Sequence, residues 1–368
     1  MSRPSPLHEV HAALGATFTD FAGWSMPVRY ASDLAEHRAV RETAGVFDLS
    51  HMGEIRVTGP AAAAALDAAL VGTPSAMPLG RAAYGMVVAA DGGILDDLVT
   101  YRLGEDEFLV IANASNVEVV ATALTERAAG FDAVVADESE QHALVAVQGP
   151  ASAAILAPLV DVDLAVVRYY RSQPATLRTA TGDVDVLLAR TGYTGEDGFE
   201  VFAATGDAVA VWEALLGAGR EHGAVPAGLA CRDTLRLEAG MPLYGHELTR
   251  DRNPYEARLG RVVKLDAPGD FTGRAALAAA AATEPAELLV GLRGSGRRAG
   301  REGYAVLDGD AVVGRVTSGA LSPTLGYPVA MAYVRNDLAA VGTALAVDVR
   351  GSAQPVEVVE LPFYRRVR

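Results

Sequence analysis

Two adjacent carboxylates, Asp96 and Asp97, follow the turn signal Asp91-Gly92-Gly93 in the run D-G-G-I-L-D-D-L-V-T-Y. Glycine reaches positive φ without a Cβ clash, which suits a tight turn. The residues after it have a strand pattern, and neighbours on a strand point to opposite faces. One of the two carboxylates must therefore look inward. That is unfavourable unless the group is paired, hydrogen-bonded or used in chemistry; a solvated turn acid beside an edge acid is the alternative. A second candidate is R-T-G-Y-T-G-E-D-G-F-E, residues 190–200, which gathers Tyr193, Glu196, Asp197 and Glu200 around three glycines. It reads either as an acidic hairpin or as a site in which Glu200 enters an apolar strand. A third is the helical run G-L-A-C-R-D-T-L-R-L-E-A-G, where Arg232 and Arg236 share a face at i,i+4. Exposed arginines on a surface helix are one reading. The other is a buried Arg–Glu pair holding a planar, hydrogen-bonding ligand, for which a guanidinium fork is well suited.

Other chemistries fall away. The chain of 368 residues carries a net charge of -15 and a pI near 4.9, which argues against a general phosphate-backbone binder. Lys264 is its single lysine and lies in a V-V-K-L-D strand pattern, so Schiff-base chemistry has one candidate without a pocket signal. Cys231 stands alone, which excludes an intrachain disulfide and a multi-cysteine metal site, and it reads as a small buried packing residue. His8 and His11 are spaced for one helix face but lack an acidic partner motif, so a solvated helix is expected and no metal site. G-S-G-R-R-A-G at 294–300 misplaces its last glycine for a dinucleotide fingerprint and has no helix pattern after it. No apolar run reaches membrane-spanning length, and the start lacks the apolar core of a secretion signal. A soluble cytoplasmic protein with no nucleic-acid or membrane partner is the expectation.

The positioning elements follow from pattern. Helices are expected at 33–43, from Pro60 to about Val71, at 117–129, 207–218, 228–240 and 275–282. Strands are expected around Gly53 in 45–55, at 84–88, 94–101, 108–112, 143–147, 183–189 and 199–202. Residues 20–30 read as loop and edge strand. Thr283-Glu284-Pro285 reads as the main linker, and 288–368 as short strands with Gly/Pro turns, a barrel or sandwich signature. Strands and helices mix without a βαβ beat, which favours α+β.

Taken in order, D-F-A-G-W-S-M-P-V, the run with Glu36, His37, Val40 and Arg41, G-V-F-D-L-S-H-M-G, Y-G-M, G-G-I-L-D-D-L-V-T-Y, T-G-Y-T-G-E-D-G-F-E, A-C-R-D-T-L-R-L-E-A-G, V-T-S-G-A-L-S-P-T-L and L-P-F-Y-R-R form one series. That series closely resembles the T-protein (aminomethyltransferase) family of the glycine cleavage system, from about Leu7 to Arg366. The resemblance implies an α+β, three-domain, cloverleaf-like fold. Residues 1–282 would form the folate-binding region, two interleaved domains with the second at roughly 52–140. Residues 288–368 would form a β-barrel-like domain. It implies tetrahydrofolate as cosubstrate and lipoylated H-protein as partner. Folate takes the methylene of an aminomethyl group and ammonia leaves. It implies Asp97 as the essential acid, because relatives vary the residue before it, and Glu200 and Arg232 as the groups that hold the pterin. Tyr84, Tyr101, Asn113 and Tyr193 would line the site, with Met52 as an apolar wall and Tyr364 approaching from the C-terminal domain.

Two other readings stay open here. One is a folate-dependent demethylase; such domains are usually fused to a flavin-binding half, and this chain has no Rossmann fingerprint. The other is a folate-binding protein without transfer chemistry; such relatives lack the D-D-L acid. Arg293, Arg297, Arg298 and Arg301, and Arg365, Arg366 and Arg368, form two basic islands that the resemblance does not assign.

Overall fold

The computed structural model describes residues 2–366. Its contacts divide it into two units, each made of several chain segments. Among the described residues, the first takes in 2–69, 73–84 and 98–233; the second takes in 70–72, 85–97 and 234–366. The architecture is α+β, as the unordered mix of patterns predicts.

In the first unit a six-stranded sheet runs in the order Ser172–Thr179, Gly182–Ala189, Gly198–Ala204, His142–Gln148, Gly45–Asp48, Val225–Pro226. The helix Ala208–Gly219 packs one face of it with Val211, Trp212 and Leu215, which recur at helical spacing. Trp212 and Leu215 are fully buried against Val145, Val147, Ile155 and Phe199. Burying each such side chain contributes about 1.5–3 kcal/mol, so this layer fixes the sheet that carries Glu200.

A five-stranded sheet runs Ala82–Val88, Ile94–Arg102, Glu107–Ala112, Gly53–Thr58, Val134–Asp137. A Cβ at Gly53 would collide with Val117 of the helix Val117–Ala128, so that helix lies close on one face. Residues 20–30, expected as loop and edge strand, form most of a hairpin of Thr17–Phe21 with Trp24–Arg29, bent at Ala22-Gly23.

In the second unit the strands Glu287–Gly294, Pro328–Arg335, Ala311–Leu321, Ala305–Asp308, Ala344–Asp348 and Ala353–Val359 close into a barrel. Alternate residues Val290 and Leu292 fill its interior with Val306, Val316, Ala332 and Val347. Leu289 belongs instead to a second cluster with Leu237, Met331 and Tyr333, against which Leu361 and Phe363 pack. Leu237, at the end of the helix Leu229–Glu238, and the C-terminal tail thus pack on barrel residues that point away from its interior.

Two expectations need correction. Lys264 does not sit in a strand. It follows the 3-10 turn Gly260–Val262, its backbone N–H bonds singly to Val71, and its ammonium donates to the Arg261 carbonyl. His8 is half-buried and His11 is not solvated. His8 packs 4.4 Å from the Phe18 ring, and His11 is fully buried with Nε2 2.9 Å from Asp48 and Nδ1 2.9 Å from the Tyr30 hydroxyl. The acid that draws His11 inward lies 37 residues away, beyond any local motif.

Candidate active site

The strand Ile94–Arg102 begins at the Asp91 turn. Gly92 holds φ at +86°. The Asp91 carboxylate accepts from the Gly93 N–H at 3.1 Å and from Arg250 at 2.8 Å. A Cβ on Gly93 would strike the Arg250 carbonyl, so two glycines are required here for different reasons. Along the strand, Asp97, Val99 and Tyr101 project to one face, and Asp96, Leu98 and Thr100 to the other. Asp96 is the fully buried carboxylate; Asp97 is half-buried. Inwardness alone does not single out Asp97. What sets it apart is that it shares its face with Tyr101.

Within the first unit the hydroxyl of Tyr101, itself buried, lies 2.9 Å from Thr191 Oγ1 and donates to Glu200 Oε2 at 3.2 Å. Thr191 donates to the same Glu200 oxygen. Glu200 therefore lies on the sheet face opposite its neighbours Phe199 and Val201, which belong to the core. The Tyr101 ring meets Phe202 edge-on at 5.6 Å, and burial together with the Glu200 charge pushes its phenol well up.

The glycine-rich loop is shaped by Gln148. Its amide donates to Thr191 O at 3.0 Å and accepts from the Thr194 hydroxyl at 2.9 Å. A Cβ on Gly192 or Gly198 would overlap that amide. The other acids of the loop have structural partners. Glu196 pairs with Arg41 at 2.8 Å in a nearly buried contact, and Asp197 takes two bonds from Arg190 at 3.0 and 2.6 Å. Of these three carboxylates, Glu200 is the one with no arginine partner among the described residues; its bonds come from Tyr101 and Thr191.

Arg232 is placed from its helix's N-terminus. The Glu36 carboxylate accepts from the Tyr30 N–H at 2.8 Å and from the Gly228 N–H at 3.0 Å, pinning the residue before the helix. The Arg232 guanidinium then lies over the Tyr193 ring at 4.7 Å. Cys231 is buried, donates to Gly228 O at 3.2 Å, and burial raises its thiol pKa, which fits a packing role. Arg236 has a separate task in the second unit: it is 2% exposed and donates to Glu247 and Ser318, both at 2.8 Å. The buried Arg–Glu pair of this helix is thus Arg236–Glu247.

The remaining expected residues divide between the units. Met52, Tyr84 and Asn113 are half-buried in the first. Asp97 and Tyr364 belong to the second, where the Tyr364 N–H donates to Glu238 O at 2.8 Å. Glu238 in turn holds Ser322 and, at 2.7 Å, Thr324 of S-P-T. Three site features escaped sequence reasoning. Thr191 needed the strand register that sets Ala189 opposite Glu200. His51 is 2% exposed with Nδ1 unpartnered, and burial and the Arg232 charge lower its pKa to about 4. Glu54 is 1% exposed with neither carboxyl oxygen bonded. No group of His, Cys, Asp and Glu among the described residues is arranged to hold a metal.

Two family models cover most of the chain. The GCVT N-terminal domain matches residues 7–267, and the glycine cleavage T-protein C-terminal barrel domain matches 288–365. The chain belongs to the glycine cleavage T-protein family. It is an aminomethyltransferase, with tetrahydrofolate as cosubstrate. It is 62% identical to an aminomethyltransferase of Saccharopolyspora erythraea over 99% of this chain and 98% of the relative. It is 59% identical to one of Streptomyces avermitilis over 99% and 98%. The crystal structure of glycine cleavage system aminomethyltransferase T from Bartonella henselae superposes with a TM-score of 0.92 at 35% identity, covering both chains fully.

Of the basic islands, Arg293 pairs with Glu357 at 2.7 Å and Arg301 donates to Gly319 O. Arg297, Arg298 and Arg365 are exposed, Arg366 is half-buried, and Arg368 lies outside the described residues. No helix among the described residues is long and apolar enough to cross a membrane.

Proposed function

We propose that this aminomethyltransferase takes its aminomethyl group from the lipoyl sulfur of a lipoylated H-protein and passes the methylene to tetrahydrofolate; the C–N bond breaks to release ammonia and the C–S bond breaks to leave the lipoyl arm as its reduced dithiol. Tetrahydrofolate supplies the nitrogen that accepts the methylene. Glu200 and Arg232 hold the pterin edge, Glu200 as acceptor and Arg232 as donor, while Tyr101 and Thr191 fix the Glu200 carboxylate from behind. Tyr193 supports the Arg232 guanidinium from one side. Met52, Tyr84, Asn113 and Tyr364 line the site. Asp97 places a negative charge near the reacting amine, where it stabilises the cationic character that grows as ammonia departs.

The observation that carries this reading is the Glu200–Thr191–Tyr101 hub in the same unit as an arginine lying over a tyrosine ring. The two family matches, ending at 267 and resuming at 288, support a division of the chain at the expected linker. An acidic chain without an apolar helix of spanning length favours a cytoplasmic location. A coupled assay with aminomethyl-loaded H-protein and tetrahydrofolate, reading methylene-tetrahydrofolate, tests the function. No product with either component saturating refutes it.

A further inference from the structure

The strand Gly53–Thr58 pairs with Glu107–Ala112, which pairs with Ile94–Arg102. Directly opposed residues of a ladder share a face. Glu54 lies opposite Ile111, which lies opposite Val99; Arg56 lies opposite Leu109, which lies opposite Tyr101. Glu54 therefore projects from the same sheet face as Tyr101, the residue that bonds Glu200. The opposite face, with Gly53, is the one the helix Val117–Ala128 approaches.

The backbone of Glu54 is fully used. Its N–H donates to Ser139 Oγ at 3.0 Å, and its carbonyl accepts from the Glu138 N–H at 2.8 Å. The side chain is not used: both carboxyl oxygens are buried and neither has a hydrogen-bond partner among the described residues. The nearby arginine, Arg56, is committed to Glu138 and Glu107. Burial and the Asp137 charge favour the uncharged form. A neutral carboxyl offers one donor and one acceptor on the same group, which an amide N–H and C=O would complement. Leaving both unsatisfied destabilises the ligand-free fold, and such a defect is expected at functional positions.

We propose that Glu54 is a ligand-positioning residue whose carboxyl makes its missing hydrogen bonds to an amide of a bound substrate. The inference rests on the proposed aminomethyl transfer from H-protein to tetrahydrofolate. Two substrate amides share this chemistry, the benzoyl-glutamyl amide of tetrahydrofolate and the lipoyl-lysyl amide of H-protein.

The test compares Glu54→Leu and Glu54→Gln in the full chain. Glutamine keeps a donor and an acceptor and should match the wild type in both ligand constants. Leucine should raise the Kd for tetrahydrofolate, or the KM for H-protein, by about fivefold or more. It should leave kcat nearly unchanged and the melting midpoint of the ligand-free protein equal or higher. A loss seen with tetrahydrofolate but not with tetrahydropteroate, which lacks the amide, assigns the folate source. A loss confined to the KM for H-protein assigns the lipoyl arm. Glu54→Met repeats the test if the leucine variant does not fold. Wild-type constants for both substrates in the apolar variant overturn the proposal, as does a glutamine variant as impaired as leucine. An inactive wild type would instead refute the aminomethyl transfer itself.

Discussion

Changing Glu200 to glutamine alters one atom in a well-defined place. The hydroxyls of Thr191 and Tyr101 both end on Oε2, and glutamine still offers them an acceptor if its oxygen takes that position. The protein side of the hub therefore survives, and little folding stability is lost. The other position becomes an NH2 group, which faces the donors of a pterin edge with a donor of its own. One ligand hydrogen bond is lost and the charge that strengthened it is gone. A bond to a buried charged group contributes about 1.5–3 kcal/mol. Glu200 is half-buried, so we expect about 1–2 kcal/mol, or roughly 5- to 30-fold in Kd. Arg232→Ala removes the opposing donor fork and should fall in the same range. Both contacts are made equally in the ground and transition states, so saturated turnover should change far less than affinity. Calorimetric titration of tetrahydrofolate into each variant, alongside turnover at saturation, measures the two quantities. Unchanged affinity in both variants would remove these residues from the site.

Three further expectations follow from the same geometry. Asp97→Asn should abolish transfer while tetrahydrofolate still binds by calorimetry; near wild-type turnover in Asp97→Asn with loss in Asp96→Asn would reverse the assignment. Arg236→Met leaves Glu247 buried without its counter-ion and should destabilise the protein by about 3–5 kcal/mol; adding Glu247→Gln should restore much of this in denaturant unfolding, and a double variant no better than the single would disprove the coupling. His51 has a folded-state pKa lowered from 6.5 to about 4 by burial and by Arg232, with Asp48 partly opposing. Its neutral form is the one the fold accepts, so its contribution is complete above pH 6.5 and is lost as pH falls toward 4, by about 3 kcal/mol in all. His51→Asn should flatten the stability profile across that window, and a profile parallel to the wild type would contradict the assignment.

Much of the scaffold was legible because its signals are local. Gly92 and Gly93 mark a turn whose geometry does require them. The period of 208–219 predicts the face that buries Trp212. The short C-terminal strands are those of the closed barrel. The failures are long-range pairings. His11 has no acidic neighbour in sequence and is buried all the same by Asp48 and Tyr30. Lys264 has apolar neighbours, but its backbone bonds only to Val71 and, in a turn, to Ala267 where a ladder was expected. Gln148 explains why Gly192 and Gly198 carry no side chain, yet it lies more than forty residues before them.

The site itself was half legible, and the missing half is a matter of accounting for charge. Local pattern places Glu196, Asp197 and Glu200 in one loop, and Arg232 and Arg236 on one helix face, without ranking them. Ranking needs partners. Arg41 takes Glu196, Arg190 takes Asp197, and Glu247 takes Arg236. Each pairing is between residues that strand and helix periodicity cannot bring together on paper. Once they are made, Glu200 is the carboxylate of its set with no arginine partner among the described residues, bonded instead by Tyr101 and Thr191. The same accounting exposes Glu54, which no motif distinguishes from an ordinary strand acid. Its backbone is satisfied on both sides while its carboxyl is buried and unbonded. The fold tolerates that defect in the absence of substrate, and an amide from a bound substrate is the simplest chemistry that would remove it.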